Sequence, residues 1–449
     1  MLLNITFYSF VAASLSLLIY GFRSRTGMLQ YPFLMGTVFV CYLLYQALGM
    51  FLQHGSIPTG PFAESLLMLT FCCLGCMVGY KFRPLRFIRP QVRYKPQRLL
   101  IGGLLLIVIA WFGYYKLTSL TGGFLSFFST EGGYSYTWSG LPVRYNFFVA
   151  MVYPGLILCL VAYEIRPSRK AFVICVLGMI LPFAYIVLMG RRSIAAWLVL
   201  TLLLHLYWSR RYLPPRAFIA VFLFFGLLAL YVGPKYRSYS QLGADHSQIL
   251  NISVKESLSQ ALDPEKIDAF KNGVYVVGAF SESGNYGYGA IFYDQLVINF
   301  VPRQLFGDEL RSSLMLGGGY EFIDKQTART MIYYRPANQF LSGHAELYSQ
   351  FSYFGCLYFV LLGVIFKTLW IRSTTYSSPT CRILYMSFII KAMISVAFSP
   401  SAAPAQTLMQ LFIIIPILWW SKEVCHNGQP STNYISQDVY NLQELQICR

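Results

Sequence analysis

The sequence predicts an all-α, polytopic integral membrane protein of about eleven transmembrane helices with one large polar loop late in the chain. Three observations predict it. Charged residues make up 12% of the 449 residues and hydrophobic ones 56%, whereas soluble globular chains carry roughly 25% charged residues. Apolar runs of 16–20 residues recur along the chain, long enough to cross hydrocarbon as helices, which satisfy their own backbone polar groups there. Basic residues cluster in alternate connections between those runs, the pattern of the positive-inside rule. The ten-residue alternation of barrel strands is absent.

Ile5–Gly21 is the first run. No basic residue precedes it, and Arg23 and Arg25 follow it. That order is the reverse of a cleaved signal peptide, so the run is read as a span that starts outside. Pro32–Met50 returns outward, Phe51–Phe62 turns, and Ala63–Tyr80 comes back in. The next connection holds Lys81, Arg83, Arg86, Arg89, Arg93, Lys95 and Arg98 and no acid, which assigns it to the cytoplasm. Leu99–Thr118 runs out to a Gly/Ser/aromatic loop, Ser119–Arg144, and Tyr145–Tyr163 returns to Arg166, Arg169 and Lys170. Ala171–Met189 goes out, Ser193–Trp208 comes back to Arg210, Arg211 and Arg216, and Ala217–Gly233 leads out again.

The long polar interval Pro234–Gln350 follows, with 12 of the 18 acidic residues and no cysteine. Within it, Asp263-Pro264-Glu265 has the form of a helix start, and Asn272-Gly273 that of its stop. Ile291–Val301 is expected to form a short helix ending before Pro302, with turns at Ser281–Gly289 and Gly317–Gly319. Phe351–Trp370 then returns to Arg372 and Arg382, Ile383–Phe398 goes out, Pro404–Trp420 comes in, and a polar tail follows Lys422. The expected regions are therefore membrane helices over 1–233, a large periplasmic loop over 234–350, membrane helices over 351–421 and a cytoplasmic tail over 422–449. The expected location is a bacterial cytoplasmic (inner) membrane, with the N-terminus periplasmic and the C-terminus cytoplasmic.

The net charge of +17 resides mostly in short loops and is accounted for by topology, so no nucleic-acid partner is expected. Cys72, Cys73 and Cys76 sit inside an apolar run and read as packed thiols. No metal-ligand spacing, phosphate loop or internal repeat stands out, and no metal or cofactor is expected.

Arg191 and Arg192 lead the candidate residues. They follow Gly190 in a very short outer turn, against the positive-inside rule, and a bound anion such as a diphosphate would compensate them. Interfacial anchors with snorkelling side chains are the alternative. Arg237, in Pro234-Lys235-Tyr236-Arg237, emerges at the same face, and Arg303 follows Val301-Pro302. His344 and Glu346 lie just before the span that follows the loop. Either is suited to act as a general base, although two residues apart they would not share a helix face; a polar helix start is the plainer reading. Tyr286, Tyr288 and Tyr293 stand among glycines and suit a glycan or an ordinary aromatic belt. Lys391 is a charge inside an apolar run, which marks function or a snorkelling cation.

At these positions the chain resembles the bacterial repeat-unit polymerases of O-antigen and related polysaccharides. The resemblance rests on Gly190-Arg191-Arg192, Lys235-Tyr236-Arg237, Phe300-Val301-Pro302-Arg303-Gln304-Leu305-Phe306-Gly307, and Glu346-Leu347-Tyr348 through Phe354-Gly355, in that order around one late outer loop. It covers about the C-terminal two-thirds of the chain. It implies a fold like that of multi-spanning lipid-linked glycosyltransferases. It also implies a reaction: growing glycan passes from undecaprenyl diphosphate to the non-reducing end of a new lipid-linked repeat unit. No nucleotide sugar is used, and no metal is expected. Membrane lipid, a chain-length regulator and the flippase of the same pathway are the implied partners. By position, Arg192 and Arg237 would hold the diphosphate with Arg303 as a third cation, and Glu346 or His344 would serve the attacking hydroxyl. The arginine–ten residues–glycine spacing of some members is absent: Gln248 stands eleven positions after Arg237, and Leu314 eleven after Arg303. A ligase that passes the same donor to a lipid A-core acceptor, a lipid-linked sugar flippase and a non-catalytic assembly protein are the rival readings.

Overall fold

The computed structural model describes residues 1–52, 57–85, 92–120, 147–189, 191–215, 268–301, 303–317 and 342–423, with single residues at 123, 145, 232, 236 and 253. Helix covers 84% of the described residues, and none lies in a strand. Among the described residues, ten helical stretches are long and apolar enough to cross a membrane. These are α1 (Leu2–Phe22), α2 (Tyr31–Leu52), α3 (Thr59–Lys81), α4 (Pro96–Leu120), α5 (Val152–Ile165, with the apolar stretch starting at Phe147), α6 (Arg169–Met189) and α7 (Arg192–Arg210). After the loop come α11 (Gly343–Phe351) leading into α12 (Leu357–Thr374), then α13 (Pro379–Ala397) and α14 (Ala402–Ser421). The loop itself contributes α8 (Asp268–Ser283), α9 (Ala290–Phe300) and α10 (Arg303–Leu314). The remaining expected span, Ala217–Gly233, lies outside the described residues except for residue 232, and so does the helix start at Asp263-Pro264-Glu265.

Between membrane helices the hydrophobic effect gives little, so close packing at small residues does the work. Gly75 and Gly79 place one face of α3 directly on α12. A side chain at Gly79 would stand 2.1 Å from the Val360 carbonyl oxygen, and Gly363 meets the Gly79–Tyr80 backbone in return. Gly103 and Gly155 bring α4 and α5 together in the same way. The outward stripes stay apolar: Leu105, Phe172, Phe183, Phe412 and Trp419 are exposed, as a lipid-facing surface requires. Cys72, Cys73 and Cys76 are buried free thiols on α3, as expected.

The connections rich in basic residues meet at one end of the bundle. Lys95 N–H donates to the Ser421 carbonyl (2.9 Å), Arg98 Nη1 to the Trp420 carbonyl (2.8 Å), and Glu423 N–H to the Arg93 carbonyl (3.0 Å). Arg372 Nη2 reaches the Leu85 carbonyl (3.3 Å). Arg382 pairs with Glu164 and donates Nε to the Ser373 carbonyl. We term this end the basic face and the opposite end the loop face.

Two local expectations need correction. Asn272-Gly273 does not stop a helix, because α8 runs straight through it. Glycine there costs about 1 kcal/mol relative to alanine. Burial of Phe270, Val274, Val277 and Phe280 on one face outweighs that, at about 1.5–3 kcal/mol for each large side chain. The glycine also leaves room for a neighbour: a side chain at Gly273 would stand 2.2 Å from Ser342 Oγ. The other correction concerns the span expected to start at Phe351. Its helix begins at Gly343 and breaks at Ser352 (φ 52°, ψ −142°) before a 3-10 turn, Ser352–Cys356, leads into α12. The short helix expected at Ile291–Val301 is present as α9, entered through Gly289 at φ 89°.

Candidate functional site

The arginine turn is built by the end of α6 and the start of α7. Arg191 is the N-cap of α7 and Arg192 its first residue, with no side-chain cap and no acid in the first turn. Helix N-termini carry partial positive charge and favour anions, so two guanidiniums there concentrate like charge where most helices place an acid or a hydroxyl. Phenols surround the pair. The charge of Arg191 acts on Tyr153 and Tyr185, and that of Arg192 on Tyr42 and Tyr45. Tyr153 in turn packs edge-on against Trp197, 4.5 Å between centroids. Tyr42 lies in a π-helical turn, Phe39–Leu44, in the middle of α2; such turns recur at functional sites. The buried Gln46 donates its amide to Tyr45 Oη (3.4 Å) and also reaches Tyr42. Tyr236 Oη donates to the Val187 carbonyl (3.2 Å), near the arginine turn. Arg237 itself lies outside the described residues.

His344 and Glu346 sit on α11, where every residue from Gly343 to Gln350 is buried. The helix is enclosed by α3, α8 and α13, so its polar side chains meet protein rather than water. Glu346 Oε1 accepts the Ser401 N–H at 2.8 Å. Ser401 is the N-cap of α14, so the carboxylate sits at the positive end of that helix. His344 points the other way, its ring 5.5 Å from that of Phe270 on α8. It is 2% exposed, and neither ring nitrogen has a hydrogen-bond partner among the described residues. Ser342 Oγ and Ser401 Oγ are buried and unpartnered as well. Unpaired buried groups cost about 1–3 kcal/mol each, and those on α11 and at the start of α14 call for an explanation beyond packing.

The two clusters share a face of the bundle. The Tyr42 ring packs on Phe398, 5.6 Å between centroids, and Phe398 lies three residues before the Ser401 N–H that Glu346 accepts. A continuous string therefore runs from Arg192 through Tyr42 and the α13–α14 turn to Glu346.

The remaining candidates are placed differently. Arg303 Nε pairs with Asp308 at 2.9 Å, both side chains about 60% exposed, and exposed pairs of this kind contribute roughly 0–1 kcal/mol. Gly307, at φ 80°, kinks α10 between the two. The Tyr286 ring lies between those of Phe280 and Tyr348. Tyr286 and Tyr288 line an open groove of about 270 Å³ with Phe351, Ser352 and Phe354. Tyr288 is 80% exposed. Tyr293, on α9, is exposed outside that lining.

The structure also brings in residues that sequence reading passed over. Glu64 is the one acid in its apolar run, a visible signal. Its Oε2 is buried without a partner among the described residues, and its charge acts on Tyr353. Tyr42, Tyr45 and Gln46 carried only a weak signal, the single amide in the second span. Among the described residues no three His, Cys, Asp or Glu side chains gather as metal ligands.

The arrangement joins an anion-attracting turn, a buried histidine and carboxylate, and an aromatic groove at one end of a helical membrane bundle. Comparison of the chain with family models, with curated proteins and with solved structures returned no match.

Proposed function

We propose that this protein polymerises lipid-linked oligosaccharide repeat units, passing growing glycan from a polyprenyl diphosphate to the sugar of a second lipid-linked unit at the loop face. The observation that carries this reading is the arginine pair at the N-terminus of α7. Two guanidiniums, the positive end of a helix and no acid in the first turn together favour a multiply charged phosphate ligand. Charge develops on the leaving diphosphate as the glycosidic bond breaks, and fixed cations stabilise it. Arg192 and Arg191 are the assigned clamp. Arg237 joins them by its place in the sequence, and Arg303 is the more distant candidate because Asp308 already neutralises it. The attacking sugar hydroxyl must lose a proton. His344 is the preferred acceptor, since its nitrogens are uncommitted while Glu346 holds the start of α14. The groove beside Tyr286 and Tyr288 supplies aromatic faces for the glycan.

The test is a gel of surface polysaccharide from a strain lacking this protein, beside the same strain complemented. A ladder that collapses to one repeat unit on the lipid core and returns on complementation supports the polymerase. Long polymer retained on the carrier lipid identifies a ligase instead. Unpolymerised units held at the inner face identify a flippase. Complementation with Arg192→Ala should leave the protein in the membrane and the ladder collapsed; a normal ladder sinks the diphosphate clamp.

A further inference from the structure

Lys391 sits on α13 about 9 Å from the helix's loop-face end, at 1.5 Å per residue. It lies on the least buried stripe of α13, with Phe388 and Ile394, so it borders lipid. Its Nζ donates to the Gln406 carbonyl on α14 (2.9 Å) and stands 5.8 Å from the Phe388 ring. Among the described residues no carboxylate pairs with it. One turn along α14, on the same face as Gln406, Gln410 Oε1 is buried with no partner. Leu408, Phe412 and Ile415 expose the neighbouring stripe of α14.

Helix α9 bridges this region. Phe292 near its start packs on Tyr358 of α12, and Phe300 at its end packs on Phe412 of α14. Helix α13 packs against both α12 and α14, the two helices whose rings α9 touches. An ammonium bordering lipid with spare protons is costly in hydrocarbon. An anion that reaches the ammonium removes that cost.

We propose that Lys391, with Gln406 and Gln410, forms a second phosphate subsite, taking a lipid-linked phosphate that enters sideways from the bilayer beneath α9. This rests on the proposed polymerase reading. Joining two saccharides that each ride on a lipid diphosphate requires two phosphate subsites, and Arg191 with Arg192 supplies the first.

The experiment is native mass spectrometry of the full-length protein in detergent, titrated with undecaprenyl phosphate and, separately, with phosphatidylglycerol. Wild type should bind two molecules of undecaprenyl phosphate. Lys391→Met should weaken one of the two by about tenfold, the scale of one charge-assisted hydrogen bond, and Lys391→Arg should keep both. Unchanged binding in Lys391→Met overturns the proposal. A Lys391-dependent site that takes phosphatidylglycerol and not undecaprenyl phosphate overturns the second-substrate assignment. Gln410→Leu is the companion variant if Lys391→Met fails to fold: it removes a side-chain oxygen that is buried and unpartnered among the described residues, so binding should fall while thermal stability holds or rises, and unchanged binding there overturns the proposal too. Arg192→Ala separates this proposal from the polymerase reading. Loss of the other bound molecule supports the two-subsite scheme. If Arg192→Ala leaves both molecules bound, the arginine clamp fails, and Lys391 is judged by its own variant.

Discussion

The two ends of the bundle differ in how they hold their buried titratable groups. At the basic face the connections are stitched together: backbone amides of Lys95 and Glu423 find carbonyls on facing segments, and Arg382 meets both Glu164 and the Ser373 carbonyl. At the loop face, both nitrogens of His344, the hydroxyl of Ser342 beside it and that of Ser401 at the start of α14 are buried without partners among the described residues. The basic face has such atoms too, Glu164 Oε2, Trp208 Nε1 and Ser421 Oγ among them, but its buried charged side chains, Arg382 and Glu164, are paired with each other. On the proposed function, the first end holds the helices in place and the second holds the site. Substitutions at the first should remove protein, and substitutions at the second should remove product.

The largest expected effect is at the basic face. Arg382→Ala leaves Glu164 buried and unpaired, a loss of about 3–5 kcal/mol, and should sharply reduce folded protein as measured by fluorescence-detected size exclusion after heating. The Arg382→Met, Glu164→Met double variant should recover most of it. A single variant as heat-resistant as wild type would break the comparison from this side. Next in size is His344→Phe. It replaces two unpaired nitrogens by a ring of similar volume against Phe270, so stability should hold or rise by about 1–3 kcal/mol while the polysaccharide ladder is lost. A retained ladder would reduce His344 to a packing residue. Glu346→Gln keeps an acceptor for the Ser401 N–H and loses charge at the start of α14, a cost of about 0.3–1 kcal/mol; product should persist, in contrast to His344→Phe. The smallest effect is expected of Arg303→Ala, which removes an exposed ion pair and should change stability by less than about 0.5 kcal/mol with the ladder intact. Collapse of the ladder there would bring α10 into the clamp.

The membrane spans were legible because hydrocarbon imposes one demand, length without charge, and a run such as Pro404–Trp420 meets it with no help from its neighbours. The ends were less legible. Helix α3 starts at Thr59 rather than Ala63, since a proline in the first turn, Pro61, is no obstacle to a helix. Helix α11 was hidden for a different reason. Gly-His-Ala-Glu-Leu-Tyr-Ser-Gln reads as solvated loop, and what buries it are residues far away in the chain: Ser401, Ser395 and Gly273. Periodicity carries no trace of such partners. The candidate site divides along the same line. Arg191 and Arg192 stood out because they break a topology rule, and their position as N-cap and first residue of α7 agrees with that. Tyr42, Tyr45 and Gln46 did not stand out, because aromatic residues in a span are ordinary until a partner is known.

The π turn in α2 has a consequence for the length of that helix. A π turn holds one residue more than an α turn in the same stretch of axis. The two halves of α2 are thus phased separately, the first for its packing on α1 and the second for Tyr45 and Gln46 beside Arg192. Deleting one residue from Phe39–Leu44 would restore an unbroken α-helix with both halves in their present phase, whereas deleting one from the α-helical first half, Tyr31–Val38, would swing it against the rest of the span by about 100°. A loss inside the turn would therefore heal the hydrogen-bond ladder and keep Tyr45 and Gln46 beside the arginine turn, so this span tolerates a change in residue number within the π turn far better than one in its α-helical first half.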